Sequence, residues 1–215
     1  MSSVTGFLEG MFSHNRIMLS IVGALIMIGS ATAFFLNRSD HQNQNARNAL
    51  YLAEKKLEAD TKSAGTKKVD VDTHFAESLA QLKKVENDFP RTRPAYEARL
   101  RLGNLYFNHS HYEKALPWFE KATQTAPTKL EKALALSAVG YSYENLKKGN
   151  AAIQTFQKAI DLGETSIKGE LLMAIARCYE AVQDPTKARS TYDQVLSELP
   201  NTEYAKSAEV YKSQL

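Results

Sequence analysis

Two hydrophobic patterns divide the chain. From Ile17 to Leu36 (IMLSIVGALIMIGSATAFFL) twenty consecutive residues carry no charge. Beyond them apolar residues return every three or four positions, the period of helices with one face in a core. As a helix rising about 1.5 Å per residue, the uncharged stretch spans roughly 30 Å, the depth of a bilayer hydrocarbon core. Arg16 and Arg38 bracket it. The pattern predicts a membrane-spanning helix at residues 17–36, with a short tail at 1–16 and a polar link at 37–43. Cleavage after Ala31-Thr32-Ala33 is the alternative, although Phe34-Phe35-Leu36 carry the apolar run past that site. Lysine and arginine counts (Arg16 before; Arg38, Arg47, Lys55 and Lys56 after) lean weakly toward a cytoplasmic domain. Small residues four apart, Ser20/Ala24 and Gly29/Ala33, would let two such spans pack as a homodimer.

The helical remainder repeats. Gly103, Tyr106, Ala115, Phe119, Ala122 and Pro127 stand at offsets 0, 3, 12, 16, 19 and 24. Counting from Gly140, the same offsets give Tyr143, Ala152, Phe156, Ala159 and Glu164. From Ala176 they give Tyr179, Ala188, Tyr192, Val195 and Pro200. A small residue in each of two helices lets them approach closely, and the rings at offsets 3 and 16 fill the space around that contact. Turns are expected at Asn108–His111, Lys147–Asn150 and Gln183–Pro185, with Gly149 or Pro185 interrupting the helical pattern. One such hairpin leaves an apolar face bare, so neighbours must stack. The expected fold is all-α: the membrane helix, then an α-solenoid over 44–215. Its hairpins are placed at about 44–92, 95–128, 132–165 and 168–201, with a capping helix at 202–215. The first is degenerate, a helix at 44–61 followed by a polar loop, Lys62–Asp72.

These residues resemble the tetratricopeptide repeat family, whose W-x2-L-G-x2-Y…A-x3-F…A…P pattern is matched by Leu102-Gly103…Tyr106…Ala115…Phe119…Ala122…Pro127. Arg99, Leu136 and Leu172 replace the family's Trp, and the copies are 37 and 36 residues apart rather than 34. Protein partners are implied, received as a peptide or helix on the concave side that first helices line. Residues expected there are Glu97, Arg101, Asn104, Phe107 and Asn108, then Tyr141, Glu144 and Asn145, then Glu170, Met173, Arg177 and Glu180. Some members clamp a carboxy-terminal carboxylate with Lys, Arg and Asn. Only Asn104 fits here, against Leu100, Tyr141, Glu170 and Ala174 elsewhere, so no such clamp is expected.

Composition adds mainly exclusions. The 215 residues carry a net charge of +3, and Lys67-Lys68, Lys83-Lys84 and Lys147-Lys148 sit among acids, so no nucleic-acid stripe exists. Cys178 is the only cysteine, which excludes an internal disulfide. His109-Ser110-His111 lacks a third ligand nearby. No phosphate-binding loop, zinc-protease or hydrolase motif occurs, so neither enzyme activity nor a metal or cofactor is expected. The layout of tail, span, link and repeats is similar to the YfgM-like proteins of the bacterial inner membrane. That resemblance implies a periplasmic repeat domain working with the Sec translocon and chaperones. The alternative is a structural subunit of an envelope machine, a pilus or outer-membrane assembly complex.

Overall fold

The computed structural model describes the backbone of residues 2–65 and 68–215, and the side chains of 25–30, 32, 34, 40–65 and 68–215. The chain divides into two units, one ending at Asn45 and the other Ala46–Leu215. Helix α1 (Ser2–Ala64) supplies the first unit and opens the second, and residues 37–43 share its helical backbone. Among the described residues no helix is long and apolar enough to cross a membrane. Most side chains of the span expected at 17–36 lie outside the described residues. Of the others, Leu25, Ile26, Met27 and Ile28 are exposed.

The second unit continues with α2 (Val71–His74), α3 (Ala76–Asp88), α4 (Arg93–Asn108) and α5 (Tyr112–Thr125). It ends with α6 (Lys129–Asn145), α7 (Gly149–Ile160), α8 (Lys168–Ala181), α9 (Pro185–Glu198) and α10 (Glu203–Ser213). Each helix from α3 onward packs on the next in the chain, which makes a solenoid. Thr92, Thr128 and Thr202 cap first helices by accepting from the backbone N–H three residues on, at 3.1–3.3 Å.

Inside each hairpin the small-residue contact takes a definite form. A Cβ on Gly103 would stand 2.5 Å from the Phe119 ring, and one on Gly140 would collide with Phe156. Both rings are buried and so is Tyr192, their counterpart beside Ala176. Arg99, at the family's tryptophan position, is buried as well. Its guanidinium donates to Glu86 (3.3 Å), Thr125 Oγ1 (2.8 Å) and the Pro90 carbonyl (3.0 Å), joining α3, α5 and the intervening turn.

The hairpin turns fall where expected, but other residues make them. Gly149 and Pro185 do not interrupt helices; they begin α7 and α9. Left-handed backbone falls instead on Ser110, Lys147 and Gln183, seven residues after Gly103, Gly140 and Ala176. At each, the next residue's N–H reaches five residues back (His111 to Tyr106, Lys148 to Tyr143, Asp184 to Tyr179), closing a Schellman motif without glycine. Gly149 is needed for space, because its Cβ would come 2.5 Å from Val182.

The first hairpin is also tighter than the sequence suggested. Helix α1 runs to the buried Ala64, and the expected loop Lys62–Asp72 is shortened at both ends, with Asp70 capping α2. Leu50 and Ala53 join Leu79, Leu82, Val85, Leu102 and Leu105 in one core cluster, so α1, α3 and α4 share apolar contacts. Asp60 accepts from Ser78 at 2.7 Å, and Lys56 pairs with Glu77 at 2.9 Å.

Candidate protein-binding face

The exposed stripes of the first helices carry the residues expected to meet a partner. On α4, Glu97 is half-buried and pairs with Arg93 at 3.1 Å, while Arg101 donates to Glu54 of α1 at 2.9 Å. Asn104 and Asn108 are exposed and make no hydrogen bond through their side chains among the described residues. Phe107 is half-buried and packs edge-on to Tyr112 and Phe119, with ring centroids 5.1 and 6.2 Å apart, so it completes the hairpin core.

On α6, the Tyr141 ring lies 5.0 Å from Phe156 and its hydroxyl donates to Glu170 of α8 at 2.6 Å. Burial and this carboxylate raise the phenol pKa. Glu144 pairs with Arg177 of α8 at 3.1 Å, and Asn145 donates to the Tyr141 carbonyl at 2.9 Å. On α8, Glu180 accepts from Tyr192 at 2.5 Å. Met173 must be corrected: it is buried with Leu172, Ala176 and Tyr192 and offers a partner no surface. Its place in the repeat is that of Leu100, which also turns partly into the core.

Expected site residues thus meet across neighbouring first helices (Tyr141 with Glu170, Glu144 with Arg177) and tie one hairpin to the next. Arg93 reaches Glu131 of α6 at 2.6 Å in the same manner. Partly exposed pairs of this kind contribute about 0–1 kcal/mol each, so they set register more than stability.

Sequence reasoning missed the apolar part of the face. Leu130 and Leu134, one turn apart on α6, are 39% and 44% exposed. The signal was available, because Leu134 stands six residues before Gly140, as Glu97 stands before Gly103 and Glu170 before Ala176. Described hollows of 260–340 Å³ lie elsewhere, for instance over Pro90–Arg93, between α1 and α3, and beside Thr155. Neither Leu130 nor Leu134 lines any of these described hollows.

Other reactive groups are committed. Burial, then Glu144, pushes the Cys178 thiol up to about 12, far from a nucleophile's range. His109 packs on Phe75 with centroids 5.3 Å apart. Among the described residues no group of three His, Cys, Asp or Glu is placed to hold a metal.

Family models for the tetratricopeptide repeat match residues 96–129, 131–164 and 170–202. The matched segments coincide with hairpins α4–α5, α6–α7 and α8–α9. Solved structures agree on the fold. A MamA protein is 18% identical with a TM-score of 0.54, covering 79% of this chain and 85% of its own. MamA from Desulfovibrio magneticus RS-1 is 19% identical with a TM-score of 0.50, covering 75% and 97%. TPR-like repeats of a Podosopora anserina protein described as a kinesin light chain are 10% identical, with a TM-score of 0.58, covering 81% and 85%. No curated protein matches the chain in sequence.

Proposed function

We propose that this is a membrane-anchored scaffold whose tetratricopeptide repeats recruit other proteins through the first-helix face. The observation that carries the reading is the exposed strip Leu130–Leu134, left open on a face where neighbouring polar groups are bonded to one another. A repeat solenoid presents such a face as an extended surface for peptides. The anchor is residues 17–36, supported by twenty uncharged residues bracketed by Arg16 and Arg38. The repeats lie on the periplasmic side of a bacterial inner membrane, where they assist translocated chains or chaperones beside the Sec translocon. Support for that placement is the likeness of layout to YfgM-like proteins.

Two experiments test this. Alkaline phosphatase fused at the carboxy terminus is active if the repeats are periplasmic; a fluorescent green-protein fusion bright in its place overturns the side. Crosslinking in intact membranes, followed by purification of the full chain, identifies the partners. Many unfolded clients support the recruiting role, whereas one stoichiometric partner on the outer face makes the chain a structural subunit.

A further inference from the structure

The first-helix face combines an apolar strip with excess negative charge. By repeat register Leu134 stands level with Glu97 of α4 and Glu170 of α8, so the row across the three helices reads Glu, Leu, Glu. Leu130 stands one turn earlier, level with Arg93 and Ser166. Arg93 is shared between Glu97 and Glu131, Arg101 serves Glu54, and Arg177 serves Glu144. Glu170 and Glu180 accept from tyrosine hydroxyls and meet no cation among the described residues. Among these named side chains three arginines therefore answer six carboxylates, although the whole chain is net positive at +3. The imbalance is local.

We infer that the face takes a basic segment with an apolar anchor: a helix or strand of a partner protein that seats an aliphatic or aromatic side chain on Leu130 and Leu134 and sets lysines or arginines against Glu97 and Glu170. This rests on the reading that partners dock on the first helices. The leucines supply the desolvated centre such a contact needs, and the carboxylates on either side supply its polar rim. Complementary charge speeds encounter and selects among partners of similar hydrophobicity. An acidic segment would meet like charge at Glu170, where no lysine or arginine answers it among the described residues.

The test uses the full chain in a non-ionic detergent and three labelled peptides of roughly three helical turns. Their apolar residues are identical, and their polar positions are all lysine, all serine or all glutamate. Fluorescence anisotropy should show the lysine peptide binding about tenfold or more tighter than the serine peptide, with the difference shrinking as salt rises. Leu134→Ser and Glu170→Gln alter exposed positions and should keep the helical circular dichroism. Each should weaken the lysine peptide by about five- to tenfold, through the lost anchor or the lost charge pairing. Equal binding of all three peptides, with Leu134→Ser weakening each, overturns the basic preference and leaves the docking face standing. Lysine-peptide binding that ignores both substitutions overturns the inference. So does no binding of any peptide, and the docking face is then judged by the membrane crosslinking.

Discussion

Hairpins α4–α5 and α6–α7 differ from α8–α9 in how they fill the same contact. In the first two, a phenylalanine ring covers a glycine with no room for a Cβ. In the third, Ala176 replaces the glycine and Tyr192 the phenylalanine, and the added hydroxyl reaches Glu180 at 2.5 Å. Tyr192 also stacks on Tyr211 of α10, with centroids 6.2 Å apart. The inner hairpins leave no space for a methyl under the ring. The last one carries that methyl and gains a polar tie, together with a ring that stacks on the cap.

Several substitutions would break or sharpen this contrast. Phe156→Ala removes a fully buried ring and should cost about 3–5 kcal/mol, read as lost amide protection across α6 and α7. Gly103→Ala forces a methyl against Phe119 and should cost about 1–3 kcal/mol in urea unfolding. The reverse change in the third hairpin, Ala176→Gly, should cost only about 1 kcal/mol, chiefly helix propensity. Equal losses at the two sites would erase the distinction between hairpins. Gln183→Gly should be a small gain, about 0.5–1 kcal/mol, because it relieves left-handed backbone at a helix end.

Alkaline pH probes the polar ties. Burial raises Tyr96 and Tyr106 to about 12, with Asp72 adding to the shift of Tyr106 through its hydrogen bond. Burial and then Glu180 raise Tyr192. A phenol whose folded pKa is raised holds its proton more tightly in the native state. Its contribution is therefore complete below the ordinary value of 10.0 and fades as pH climbs toward about 12. Stability should fall through that window, and Tyr192→Phe should make the fall shallower. An unchanged slope would mean that Tyr192 keeps its ordinary pKa.

The hairpins were legible because close packing needs small residues and rings at fixed offsets, a constraint written directly into sequence. Arg99 was legible only as a departure: nothing local signals that Glu86, Thr125 and the Pro90 carbonyl converge to satisfy a buried guanidinium. The turns were placed correctly but their makers were not, because Ser110, Lys147 and Gln183 adopt left-handed backbone while Gly149 and Pro185 begin the next helices. On the face, offsets placed the polar residues but not their bonds, which depend on the twist between hairpins. Leu130 and Leu134 escaped notice because an apolar residue in a helix reads as core until its surroundings are known.

The most direct test of the docking face is a photo-crosslinking side chain at position 134, compared with one at the exposed Lys158 of α7, in intact cells that make the full chain. The account predicts protein adducts from position 134 and few or none from 158. Adducts from 158, with position 134 silent, would contradict it.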